Sequence, residues 1–292
     1  MGNHLDIIAL VFDFDDTLVP DSTTFFLNKL GIDTDTFWQG EVKALLNSGY
    51  DPTLAYLWAM IEKIGEDKPL GLLTNADLAV FGSELTPLFH PGLVEMLDEL
   101  KILVSRDFKD IRIEYYIVSG GLQDIIAGNT IVQKYFTATY GCLFGEGGSP
   151  TRITHVKRAI NFTEKTRYIF EINKGVSPEQ TYSNPYLVNK DVPTHSRRIP
   201  MRNIIYIGDG LTDIPCFSLI HHSEGKCFGV VDPANPARAK RALSEFLEPK
   251  RVLGMYAPLY DSTHELGSFI RAAVSNRCAE IVLERSMGNY RR

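Results

Sequence analysis

The sequence predicts an α/β fold built on a doubly wound parallel sheet, and three observations carry that prediction. Short apolar runs rich in β-branched residues alternate with stretches of helical spacing. Four such runs stop at turns of small or acidic residues: Ile7 to Phe12, Ile111 to Val118, Ile204 to Ile207 and Cys227 to Val231. The rhythm is interrupted at length only once early on, from residue 21 to residue 87. In sheets of this kind ligands bind beyond the carboxyl ends of the strands. Asp13, Ser119 and Asp209 each follow such an end, so three loops distant in sequence are expected to converge.

Taken in order, Ile7-Ile8-Ala9-Leu10-Val11-Phe12 reads as a strand buried on both faces. Between Asp21 and Pro87, apolar residues recur at helical spacing, punctuated by Gly31, Gly49, Asp51-Pro52 and Lys68-Pro69. That pattern predicts three or four short packed helices. Directly after the first strand, such an insert can hinge over it as a lid. The domains expected are therefore a core of residues 1–20 and 88–292 and a helical cap of residues 21–87. Tyr140 to Arg152 is glycine-rich and reads as a hairpin or loop, Arg167 to Lys174 as helix, and Val176 to Pro200 as a polar surface excursion. Pro236 to Leu247 is expected to be helical. The tail after Asp261 reads as an amphipathic helix with Leu266, Phe269, Ile270, Ala273, Ile281 and Leu283 at its apolar positions.

Of 292 residues, 44% are hydrophobic and 23% charged, the balance of an ordinary globular protein. Thirty basic and 36 acidic residues give a formal charge of −6, which leaves no basic excess for a nucleic-acid partner. No apolar stretch approaches the ~20 residues that span a bilayer, so no membrane role is expected. Cys142, Cys216, Cys227 and Cys278 lack metal-binding or paired spacing and read as reduced thiols, placing the protein in the cytoplasm.

The chemistry concentrates in Asp13-Phe14-Asp15-Asp16-Thr17. Alternation along an extended chain sends Asp13 and Asp15 to the same side, where their mutual repulsion calls for a cation or a shared proton. Asp13 suits a nucleophile that forms an aspartyl-phosphate, and Asp15 a proton shuttle for leaving group and water. A magnesium ion fits Asp13, the backbone carbonyl of Asp15 and the Asp209 carboxylate, with Asp213 supporting them or holding a metal-bound water. Ser119 offers a hydroxyl, and Gly120 and Gly121 offer amides opening a helix, for phosphate oxygens. Thr17 braces the loop, and Asp16 reads as a turn residue. Lys165 is the first choice for the lysine such a site needs, with Lys174 and Lys157 as alternatives.

Together these stations resemble the haloacid dehalogenase-like (HAD) superfamily. Asp13, Asp15 and Thr17 are similar to its first motif, Ser119 to its second, Lys165 to its third, and Gly208-Asp209-Gly210-Leu211-Thr212-Asp213 to its fourth. The resemblance implies a Rossmann-like core, a C1-type cap, Mg2+, an aspartyl-phosphate intermediate and phosphatase activity. Asp15 argues against the dehalogenase branch, which lacks that acid. The Ser-Gly-Gly segment and the cap resemble phosphoserine phosphatase-like members. Those carry a glutamate nine residues after the nucleophile, where this chain has Ser22, a departure that speaks against serine phosphate.

The expected activity is magnesium-dependent hydrolysis of a small phosphorylated metabolite. Ser119, Gly120 and Thr17 are the candidate phosphate-side residues. Asp13, Asp15, Asp209 and Asp213 are the candidate metal-side residues. The alternatives are phosphotransfer to an acceptor alcohol and a weakly catalytic phosphate-binding or scaffold module.

Overall fold

In the computed structural model, residues 6–232, 240, 243–247 and 249–290 are described. The Ile7–Phe12 run is buried throughout and forms β1 (Asp6–Phe12) at the centre of the sheet. It pairs in parallel with β2 (Ile111–Leu122) on one side and β5 (Ile204–Gly208) on the other. The full order is β4-β3-β2-β1-β5-β6-β7, with β3 at Ala138–Gly147, β4 at Arg152–Arg158, β6 at Lys226–Val230 and β7 at Met255–Tyr256. Flanking helices complete the α/β architecture.

The sheet is mixed rather than wholly parallel. The glycine-rich turn after β3 reverses the chain so tightly that β4 returns antiparallel along it. A parallel return would have needed a crossover of a dozen residues or more.

The early insert folds as α1 (Ser22–Lys29), a π-helical turn at Thr36–Val42 running into α2 (Lys43–Asn47), α3 (Pro52–Ile61) and α4 (Asn75–Glu84). Asp21, Asp51 and Thr74 cap three of these helices with their side chains, which satisfies amides that a helix start leaves open. The hairpin β3–β4 and the segment after it bond directly to the insert: Ile153 N donates to Leu73 O at 2.8 Å, Thr53 Oγ1 to Ile160 O at 3.3 Å, and Asn75 Nδ2 to Phe144 O at 3.2 Å. Helix α4 also lies against α6 (Gln123–Gly128) so closely that a β-carbon on Gly82 would meet Ile125 O at 2.0 Å.

The core helices are α5 (Leu93–Asp107), α7 (Thr130–Tyr135), α8 (Phe162–Lys174), α9 (Pro178–Ser183) and α10 (Ile214–His222). The excursion that begins at Val176 packs on α8, where Lys174 Nζ donates to Val188 O and Lys190 O and Thr181 Oγ1 to Glu171 Oε2. Most of the expected helix Pro236–Leu247 lies outside the described residues; Leu243–Leu247 is a π-helical turn.

The last helix, α11 (Glu265–Tyr290), buries Leu266, Ile270, Ala273, Val274, Cys278 and Ile281. Phe269 and Leu283 are exposed instead, because the buried stripe advances by three or four residues and those two fall beside it. Arg277 sits within the stripe and donates to Asn203 Oδ1 at 2.8 Å, while Asn203 Nδ2 donates to Ile7 O at 3.0 Å. Tyr260 OH, fully buried, donates to Thr17 O at 2.8 Å. The start of β1 and the loop beyond its end are thus fastened by later parts of the chain. No helix among the described residues is long and apolar enough to cross a membrane.

Candidate active site

Asp13 leaves the end of β1 with its N–H donating to Ile207 O at 2.9 Å, so β5 fixes where the side chain begins. Its Oδ1 accepts from Phe14 N at 2.7 Å and its Oδ2 from Lys165 Nζ at 2.7 Å. Lys165 is fully buried near the start of α8, whose N-terminus is capped by Asn161 Oδ1 bonded to the amides of Thr163 and Glu164. The same ammonium donates to Asp213 Oδ1 at 2.7 Å, which also accepts from Tyr206 OH at 2.7 Å. Asp213 Oδ2 takes the Gly210 amide at 3.0 Å, closing the loop after β5. Burial alone would lower the Lys165 pKa, but Asp13 and Asp213 outweigh it and hold the ammonium charged.

One carboxylate oxygen from each of Asp13, Asp209 and Asp213 lies within 4.8 Å of the other two. Among the described residues one ammonium serves this cluster, that of Lys165, and its ion pairs are with Asp13 and Asp213. Burial, then the charges of Asp13 and Asp213, push the Asp209 carboxyl well above its ordinary value, and the opposing Lys165 charge does not cancel the rise. Burial likewise raises Asp13, to about 6, against the pull of Lys165. Three closely spaced hard oxygen donors with one cation among them fit a divalent ion such as Mg2+.

Asp15 stands outside that cluster. Its Oδ1 accepts from Ser22 N at 2.7 Å, at the first residue of α1. Burial, followed by the nearby charge of Asp21, pushes its carboxyl up to about 8 despite the hydrogen bonding from Ser22. Its Oδ2 lies where a β-carbon on Gly121 would come within 2.3 Å, so this approach requires glycine. Asp16 turns the loop with φ +54°, a left-handed conformation that aspartate tolerates better than most residues.

Ser119 is buried, and its Oγ accepts from Gly121 N at 3.0 Å. Gly120 and Gly121 do not open a helix. Strand β2 runs on through them to Leu122 with a register shift between Val118 and Leu122, and α6 starts only at Gln123. The bulge is held by Tyr56 OH, which donates to Gly120 O at 2.6 Å, and by Cys142 Sγ at 3.2 Å from the same carbonyl. Thr17 is fully buried beneath the loop and does not line the cleft. Of the other candidate lysines, Lys174 is spent on the carbonyls of the excursion and Lys157 is exposed on β4.

These groups share one cleft of about 290 Å³, with Asp13, Asp15, Ser119 and Asp209 on the core side and Asp21, Thr23, Trp38 and Tyr56 on the side of the insert. Trp38 and Tyr206 are the residues that sequence reasoning missed. Trp38 belongs to a π-helical turn, which breaks the helical period that would have marked it. Tyr206 left one signal: it lies two residues before Gly208 and therefore points to the same side of β5 as the site loop.

No family model matches the chain. An uncharacterized protein of Borreliella burgdorferi is 30% identical over 249 residues, which is 78% of this chain and 83% of that protein. The crystal structure of a HAD family hydrolase from Salmonella enterica serovar Typhi is similar with a TM-score of 0.50 at 16% identity, over 80% of this chain. The chain spans 64% of the length of that hydrolase. The fold is HAD-like, and it presents a three-aspartate cluster able to hold a divalent cation.

Proposed function

We propose that this chain, which belongs to the family of the Borreliella burgdorferi protein and carries a HAD-like fold, is a magnesium-dependent phosphatase of small phosphomonoesters. The observation that carries the reading is the buried chain Asp13–Lys165–Asp213 with Asp209 beside it and Asp15 across the same cleft. A carboxylate nucleophile, a fixed cation, a metal-binding pair and a separate carboxyl with raised pKa are the parts that hydrolysis through an aspartyl-phosphate needs.

In this mechanism an Asp13 carboxylate oxygen attacks phosphorus, the P–O ester bond breaks, and the departing oxygen takes the proton of Asp15. Asp15, now ionised, accepts a proton from water as that water attacks the phosphorus of the aspartyl-phosphate. The Asp13–phosphorus bond breaks, releasing inorganic phosphate and restoring both residues. Lys165 keeps Asp13 ionised and oriented, and the Ser119 hydroxyl and the Gly120 amide would receive phosphoryl oxygens. Mg2+, held by Asp13 and Asp209 with Asp213 behind them, would neutralise charge on the transferring group.

The domain reading is a core of residues 1–20 and 88–292 with residues 21–87 as a cap of the C1 type, in the phosphoserine phosphatase-like branch. A cleft of this size, walled by the insert, suits compact metabolites over phosphoproteins. Four unpaired, buried cysteines suit a reducing cytoplasm. The test is hydrolysis of an aryl phosphate with and without Mg2+. Wild type should turn over only with the metal, and Asp13→Asn should lose at least about 10³-fold. Equal rates for the two proteins would refute the proposal.

A further inference from the structure

Which alcohol leaves is decided on the far wall of the cleft. Under the hydrolase reading, on which this inference rests, Asp15 protonates the departing oxygen, so the leaving group lies on the side of Asp15. That side is the start of α1, where Ser22 N holds Asp15, and the wall there is Asp21, Thr23, Trp38 and Tyr56.

Two features of this wall select a charge. Trp38 Nε1 donates to Thr24 Oγ1 at 2.7 Å, and that hydroxyl donates to Asp21 Oδ2 at 2.6 Å, so an indole and a carboxylate are fastened in one line. The Tyr56 ring lies 5.9 Å from the Trp38 ring, tilted by 47°, with its hydroxyl already committed to Gly120 O. With their polar atoms engaged, both residues contribute ring carbon to the wall. Among the described residues, five aspartates and no lysine or arginine line the cleft. Lys165 is fully buried and spent on Asp13 and Asp213.

A substrate bearing a carboxylate or second phosphate would bring another anion against Asp21 on this wall, across the cleft from the metal-binding aspartates, with no lysine or arginine among the described lining residues to meet it. An ammonium group would find the Asp21 carboxylate and two aromatic rings. We infer that the site is built for the phosphate ester of a cationic alcohol, one carrying an ammonium or quaternary ammonium group.

The experiment compares phosphocholine and O-phosphoethanolamine with 3,3-dimethylbutyl phosphate, the uncharged isostere of phosphocholine, and with phosphoglycolate, which carries a carboxylate. With Mg2+, kcat/KM for the cationic esters should exceed that for the isostere at least ten-fold and that for phosphoglycolate further. Asp21→Asn, which retains a capping side chain, should pull the phosphocholine-to-isostere ratio toward one, mainly through KM. Equal kcat/KM for charged and uncharged esters, or a preference for phosphoglycolate, overturns the inference while leaving hydrolysis standing. If no ester is cleaved, aryl phosphate included, the hydrolase reading fails instead. The cation site is then read without turnover: choline should quench tryptophan fluorescence in wild type and not in Trp38→Phe, and no quench in wild type overturns it.

Discussion

Gly121 and Asp15 occupy one another's space: a β-carbon on the glycine would stand 2.3 Å from Asp15 Oδ2. The bulge in β2 therefore does more than shape a phosphate loop. It gives the proposed proton shuttle the room to lie against the strand, with Ser22 N holding its other oxygen. Gly121→Ala should displace Asp15 and lower kcat by about 10²-fold, the usual consequence of a misplacement near 1 Å. Steady-state kinetics on an aryl phosphate checks this, and unchanged kcat would remove Asp15 from the mechanism.

Among the described residues Lys165 is the one cation paired with Asp13 and Asp213. Lys165→Met should abolish turnover and destabilise the metal-free protein by about 3–5 kcal/mol, because two buried carboxylates lose their partner. Added Mg2+ should then raise the Tm of the variant more than that of wild type. Equal shifts would mean that the lysine and the metal do not share these aspartates.

Metal binding itself is open to a thermal test. Millimolar Mg2+ should raise the wild-type Tm as ligand linkage requires, and a chelator should reverse the gain. Asp209→Asn should lose most of that response, since among the described residues no ammonium pairs with Asp209 while Lys165 pairs with the other two. A full response in the variant would place the ion elsewhere.

Gly82 marks the closest contact between α4 and α6. Gly82→Ala puts a methyl group into the Ile125 carbonyl, and overpacking of this kind costs about 1–3 kcal/mol. Chemical denaturation should show a lower midpoint with unchanged slope. An alanine tolerated at no cost would show that these helices are free to separate.

Glu114, which does not line the cleft, supplies a pH test. Arg198 donates to both of its oxygens, at 2.6 and 2.7 Å, and Tyr116 OH to one of them. Burial raises this carboxyl, but the hydrogen bonds outweigh burial and bring it below its ordinary 4.5. A depressed carboxyl stabilises the fold above its unfolded value and loses that contribution as pH falls through its folded one. The Tm difference between wild type and Glu114→Gln should therefore be present at pH 7 and close below about pH 4.5. A difference that persists there would assign the effect to packing.

Much of this was legible in the sequence because strand ends fix positions. Asp13, Ser119 and Asp209 each follow an apolar run, and once those runs lie side by side the loops have nowhere else to meet. Lys165 was harder, since a lysine near a helix start has many possible fates; burial against Asp13 is what distinguishes it from Lys174. The Ser119-Gly120-Gly121 turn was misjudged because a strand that bulges and continues has the same residues as one that stops. The glycines of Tyr140 to Arg152 allowed the hairpin that forms as β3 and β4, whereas the place of Trp38 beside the cleft depends on contacts between segments far apart, which no local period encodes.

The fastening of β1 has a consequence for the order of synthesis. This strand is synthesised well before the residues that hold it: Tyr260, 243 residues after Thr17, fastens the loop beyond its carboxyl end, and Arg277 fastens its other end through Asn203. Until those residues emerge, the carbonyl of Thr17 lacks its buried donor and the nucleophile loop above it has no floor. The candidate site therefore stays unfinished until the segment from Tyr260 to Arg277 has been translated.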